Sequence, residues 1–356
     1  MLWLLALAVP VLLLPLVDMG DGDSSDDDGM PADPEPPTPG DDGTAFLVGS
    51  GEVVTGTSGN DVFVADPAVE TAAGSTINAG AGDDIIQFPI VPGPSDAGAF
   101  SGEINGEAGN DRILVDAEEV DVNGGTGDDT ISGEVIGGSE ISGGAGDDDI
   151  TITSIPGDNA TITGDAGDDR LDLRTRGDIT SLIASGGAGD DTIITDGVVL
   201  GGTGYVLQTD GGAGDDTLIH EVDTFLTSND LSDILSPSSM SGGAGTDTFE
   251  IAAVSLGGVF SEGPDDPEEI TTALINITDF APQDETIEFD LAGLASNDSA
   301  AITVTEDEDA GTTTVTLDIE KPNGPDQEIV VTLNATGLTA NNIVTSGGPV
   351  TPIAIL

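Results

Sequence analysis

The residues of this chain best equipped for chemistry are aspartates, and they recur in one setting. The unit is Gly-Gly-x-Gly-x-Asp-x-(apolar). Clean copies occupy 124–131 (Gly124, Gly125, Gly127, Asp129), 143–150 (Gly143, Gly144, Gly146, Asp148) and 186–193 (Gly186, Gly187, Gly189, Asp191). Two more occupy 211–218 (Gly211, Gly212, Gly214, Asp216) and 242–249 (Gly242, Gly243, Gly245, Asp247). Looser copies at 56–63, 79–86, 106–113 and 164–171 close on Asp61, Asp84, Asp111 and Asp169, the last with Gly164 and Gly167. All nine keep the Gly-x-Asp step. One such copy would be an ordinary turn; nine are a repeat.

Glycine permits φ > 0 and lets backbone carbonyls turn toward a cation. The closing Asp adds a charged oxygen at a fixed offset. A site made only of carbonyl and carboxylate oxygens suits a hard ion, and six to eight flexible ligands favour Ca²⁺ over Mg²⁺. One loop is too small to supply them. Two loops stacked about 4.8 Å apart can, so nine loops offer up to eight shared sites in one row. The charge balance demands such ions. Asp and Glu total 68 against 5 Lys and Arg, a net charge of −63. Stacked carboxylates about 4.8 Å apart repel by roughly 1 kcal/mol even in water. Folding and metal loading are therefore expected to be one event.

The spacing tells what positions the loops. Successive closing aspartates are 23, 27, 18, 19, 21, 22, 25 and 31 residues apart. A minimum length with insertions is the mark of a solenoid coil. The extra residues, as in 88–102 and 222–239, fall mid-interval and are expected on the edge opposite the loops. Each interval reads strand, loop, strand: Ile141 precedes one loop and Ile150 and Ile152 follow it; Ile162 precedes the next, followed by Leu171 and Leu173. Such alternation places the aliphatics on one face of short strands. With 37% hydrophobic but only 3% aromatic residues, the core should be thin and aliphatic. Acidity alone would read as disorder; these recurring apolar runs argue for a folded chain. The fold class expected is all-β, a β-roll or β-helix solenoid of stacked coils with a small C-terminal β cap.

The nine copies resemble the nonapeptide repeats of the hemolysin-type (repeats-in-toxin, RTX) calcium-binding family, over about residues 56–250. The resemblance implies a parallel β-roll, Ca²⁺ between successive loops, and an extracellular location. It implies as ligands the carbonyls of the loop glycines and the closing aspartates. The chain departs from the family in keeping the motif in one half of each coil, so one calcium row is expected rather than two. Ala79 replaces the first Gly of its copy, and Thr57, Glu107 and Asp165 replace the second in theirs. The fifth-position acids (Asp83, Asp128, Asp147, Asp168, Asp190, Asp215) read as outer-shell or solvated charges.

Around the array, residues 1–17 form an apolar export or anchor segment without a preceding Lys or Arg, either cleaved or retained at a membrane. Residues 18–45 read as an acidic disordered linker, 46–270 as the calcium-binding roll, and 271–356 as the cap. Within the last, Leu274–Leu291 carries Ile-Thr-Asp-Phe and resembles the segment that ends calcium-roll arrays in secreted proteases. The acidic surface excludes nucleic acid as partner. Without cysteine there is no disulfide or thiolate site. No H-E-x-x-H or G-x-S-x-G motif occurs. The lone histidine, His220, reads as a strand residue rather than a base. The function expected is a secreted or surface-tethered calcium-binding structural protein, not an enzyme. The alternatives are a calcium-dependent adhesin or matrix protein that binds cell-surface or matrix polysaccharide, and a polysaccharide-modifying enzyme of the alginate-epimerase kind, for which Tyr205 and His220 would be the residues to test.

Overall fold

In the computed structural model, described for residues 43–66, 72–88, 100–136, 138–153, 159–174, 181–196, 206–223, 238–254, 269–294, 296, 298–322, 326–348 and 354–355, the chain winds between two long sheets. All of these residues belong to one compact unit. Each coil contributes one strand to a sheet that precedes the Gly-rich loop and one to a sheet that follows it. Strand Glu140–Ala145, for example, leads into the loop of Asp148 and strand Asp149–Ile152 leads out. Within the roll, neighbouring strands are parallel and in register, because each coil repeats the one before. The solenoid expected from the spacing is therefore the fold observed.

The alternation of aliphatics decides which face is inside. After the loops, Phe63, Ile86, Ile113, Ile131, Ile150, Leu171, Ile193, Leu218, Phe249 and Ile287 stand opposite one another, coil to coil. All are buried. Before the loops, Ile77, Ile104, Val122, Ile141, Ile162 and Ala184 form the facing column. The interior of the roll is not aliphatic throughout in either sheet. Thr195, Thr209 and His220 occupy inward positions and are buried, and the hydrophobic core falls into two clusters there, divided between Leu207 and Leu218. Thr195 Oγ1 and His220 Nδ1 lie 3.0 Å apart and satisfy each other. Burial pushes His220 down to about 4, so it is neutral at physiological pH. It lies in a strand, as its setting in the sequence indicated, and is packed inside.

At the C-terminal end the pre-loop sheet continues into a meander. Strands Ser299–Asp307, Thr312–Glu320 and Asp326–Leu333 run antiparallel to one another. The last of them pairs in parallel with Glu269–Ile277 of the roll. The sheet so extended ends on Ser299–Asp307, with Ala354–Ile355 paired in parallel against it, instead of on a bare coil of the roll. A single 3₁₀ turn, Ala340–Asn342, with a Thr339 capping box, leads into the last strand of the post-loop sheet, Ile343–Ser346. The insertions at 88–102 and 222–239 fall largely outside the described residues, as do residues 1–42 and Tyr205.

Candidate metal centre

All nine closing aspartates lie in one row along one edge of the roll, and all are buried to 2% exposure or less. Parallel register puts them there: the residue after each Asp pairs with the residue after the next, as in Asp149 with Arg170 and Thr130 with Asp149. Asp61 Oδ1 accepts the Thr44 N–H at 2.6 Å, and the other eight carboxylates are all used in one way. In each, Oδ1 accepts the backbone N–H of the closing Asp in the preceding coil. Asp129 N–H donates to Asp148 at 2.7 Å, Asp148 N–H to Asp169 at 2.8 Å and Asp169 N–H to Asp191 at 2.8 Å. The series runs from Asp61 N–H on Asp84 to Asp216 N–H on Asp247. The other oxygen is the informative one. Oδ2 of Asp84, Asp111, Asp129, Asp148, Asp169, Asp191, Asp216 and Asp247 is buried without a hydrogen-bond partner. A buried unpaired carboxylate oxygen is costly, and eight in a row call for a counter-charge.

The first-position glycine makes room for that oxygen. A Cβ at Gly143 would stand 2.3 Å from Asp148 Oδ2. At Gly124 a Cβ would meet Asp129 Oδ2 and the Gly143 carbonyl oxygen, both at 2.4 Å. The space a side chain would fill is thus a cradle that brings together a carboxylate oxygen and the first-position carbonyl of the next coil. The fourth-position glycines serve the stacking. Gly146 has φ +136°, and a Cβ on it would lie 2.1 Å from the Gly127 carbonyl oxygen. Its N–H donates to the Ala166 carbonyl, 2.8 Å away in the next coil.

Electrostatics matches this geometry. Burial, followed by the charges of neighbouring acids, pushes Asp84, Asp148, Asp191 and Asp216 up to about 6. The same causes push Asp111, Asp129 and Asp169 up to about 7, and Asp247 upward as well. The N–H donated to Oδ1 works against the shift in each case. Among the described residues no three His, Cys, Asp or Glu side chains converge on one point. That follows from one carboxylate per coil: any point in the row is flanked by two, and its remaining oxygens must be carbonyl. Such a set of hard, oxygen-only donors fits Ca²⁺. The closing aspartates and the first-position carbonyls would hold it, and it would supply the charge that the orphan oxygens lack.

The departures from the motif have distinct outcomes. Thr57 satisfies its own loop: its N–H donates to Asp61 Oδ2 at 2.5 Å and its hydroxyl at 2.9 Å. Glu107 and Asp165, where other copies have Gly, keep the left-handed backbone, with φ 73° and 79°. They line a surface trough of about 500 Å³ on the pre-loop sheet, with Asn78, Asn105, Asn123 and Ser142. The fifth-position acids form a second, exposed ladder of opposite sense. There Oδ1 accepts from the following coil, as in Asp147 N–H on Asp128 and Asp168 N–H on Asp147. Asn60 and Asn110 take part in it through their side-chain oxygens.

Two acids at the end of the array escaped the motif. Asp279 accepts the N–H groups of Gly242 (3.1 Å) and Gly243 (2.9 Å) and the Ser241 hydroxyl (2.8 Å). Glu285 is buried to 4% exposure and stands beside Asp247. Burial, then the charges of Asp247 and Asp279 and a side-chain hydrogen bond shared with Asp247, pushes it up to about 7 against the N–H of Ala281. The legible signal was downstream: Thr286-Ile287-Glu288-Phe289 after Glu285 repeats Thr248-Phe249-Glu250-Ile251 after Asp247.

No protein-family model matches the sequence, and no curated protein matches it.

Proposed function

We propose that this is a calcium-binding structural protein that acts outside the cytoplasm and folds as Ca²⁺ loads between its stacked Gly-rich loops, after the manner of hemolysin-type repeats. The observation that carries the reading is the row of buried carboxylate oxygens without hydrogen-bond partners. Ionised and unneutralised, they oppose the fold; neutralised by cations shared between coils, they cross-link it. The apolar segment 2–17 supports export or tethering. Catalysis has no place in the reading: His220 is sealed in the core as a partner of Thr195.

The test is far-UV circular dichroism at neutral pH in chelator and in calcium, paired with calorimetric titration. β-structure that forms on adding calcium, with affinities of about 10⁻⁴–10⁻³ M, is the expected result. A chain fully β-structured in chelator and silent to millimolar calcium refutes the proposal.

A second reading, the calcium-dependent adhesin, draws on the trough. Its amides, hydroxyl and carboxylates are groups that hydrogen-bond sugar hydroxyls. Retention on insoluble polysaccharide in calcium, lost when Asn105 and Asn123 are both replaced by Ala, would favour it over a purely structural role.

A further inference from the structure

The Gly-rich motif ends at Asp247, but the stack of coils does not. Ile277 pairs with Met240 ahead of the loops, and Thr286, Ile287, Glu288 and Phe289 pair with Thr248, Phe249, Glu250 and Ile251 after them. Residues 278–285 are therefore a tenth loop, lying on the ninth, although they contain no glycine. In this loop Glu285 takes the place of a closing Asp. The Thr286 N–H donates to the Asp247 carbonyl (3.4 Å), as Thr248 N–H does to Asp216 (2.8 Å). The tenth loop is one residue longer than the ninth, counted from Ile277 and Met240 to the closing acid, and its acid is one methylene longer.

Three further features single this place out. Asp247 Oδ2 is buried and meets no N–H or hydroxyl donor, and the Glu285 carboxyl lies within hydrogen-bonding reach of the Asp247 carboxyl. One Glu285 carboxylate oxygen is fixed by the Ala281 N–H at 2.7 Å. The loop itself is held from the cap, because Asn342 Nδ2 donates to the carbonyls of Pro282 (2.7 Å) and Glu285 (3.1 Å). Asp279 already accepts three donors of the ninth loop and so clamps the two loops together.

We infer that Asp247 and Glu285 form one more divalent-cation site at the capped end of the row, with Glu285 closing a loop that lacks the repeat motif and Asp279 as its positioning residue. The inference rests on the calcium reading above and deepens it: the row runs one loop beyond the Gly-rich motif, and the C-terminal segment holds that loop through Asn342. The ion class is the same, a hard divalent cation, Ca²⁺.

Equilibrium dialysis of the full chain against ⁴⁵Ca²⁺ tests both levels separately, with far-UV circular dichroism at saturating calcium confirming that each variant is folded. Glu285→Gln should bind one ion fewer than the unaltered chain, and Asp279→Asn should keep the number of ions while weakening one of them about tenfold. A folded Glu285→Gln chain that keeps the full number overturns this inference alone. An unaltered chain that binds no calcium overturns the underlying reading too. If Glu285→Gln does not fold, Glu285→Asp decides: it keeps a carboxylate, and its weakest ion should weaken about tenfold or more. Unchanged affinity there overturns the assignment.

Discussion

Replacing Asp148 by Asn should stabilise the calcium-free chain, and calcium should remove that advantage. Asn is nearly isosteric, and its Oδ1 can still accept the Asp129 N–H that Asp148 accepts at 2.7 Å. What it removes is the buried charge. Burial, with the charges of Asp128, Asp147 and Asp165, moves Asp148 from 3.8 to about 6 in the folded chain. At 1.36 kcal/mol per tenfold change in proton affinity, the ionised folded state is penalised by about 3 kcal/mol at pH 8. In chelator at pH 8, with an osmolyte added to keep both proteins folded, Asp148→Asn should thus be about 3 kcal/mol more stable. Calcium reverses the balance. Asp148 flanks two intervals of the row. An ion with a dissociation constant of about 10⁻⁴–10⁻³ M contributes roughly 1.4–2.7 kcal/mol at 10 mM calcium. Losing both ions costs up to about 3–5 kcal/mol, enough to cancel or overturn the advantage. The assay is urea unfolding followed by circular dichroism, comparing midpoints at unchanged slope. A variant less stable than the parent in chelator, or one whose advantage survives undiminished in calcium, refutes the argument that the row is a set of uncompensated charges awaiting cations.

The same carboxyls fix the pH dependence of the calcium-free protein. Their folded values, about 6–7, lie above the unfolded 3.8, so the folded state holds protons that the unfolded chain has already released. Stability in chelator is highest near pH 4 and falls as pH rises toward 8; calcium should abolish the fall, while 0.5 M NaCl, which screens exposed charges, should leave most of it. A chelated chain that gains stability over that range contradicts the reading. The glycines give a separate, steric prediction. Gly146→Ala forces a Cβ to within 2.1 Å of the Gly127 carbonyl oxygen at φ +136°, whereas Gly311→Ala, at φ +73°, meets nothing within 4 Å. In saturating calcium the first should cost about 3 kcal/mol or more and the second about 1; equal midpoints in urea would show that close coil-to-coil approach is not what selects glycine.

The repeat itself was legible because its two periods are local. Gly-x-Asp spacing marks each loop, and alternation around it, as in Ile141, Ile150 and Ile152, marks the inward face of each strand; both follow from backbone geometry that residue types dictate within one coil. From these the solenoid, the row of Asp61 to Asp247 and the strand placement of His220 could be read directly. What depends on the register between coils could not. Only the stacked structure decides that Oδ1 of each closing Asp is consumed by a neighbour's N–H while Oδ2 is left over. The same holds for Thr57, which satisfies Asp61, and for the fifth-position acids, which form a ladder of opposite sense. Glu285 is the clearest case. Its loop has lost every glycine and gained a residue, so no motif marks it, and it joins the row only because Thr286–Asp290 pairs in register with the coil below. A residue's type and spacing fix what it can offer; its partner across about 4.8 Å fixes what remains on offer.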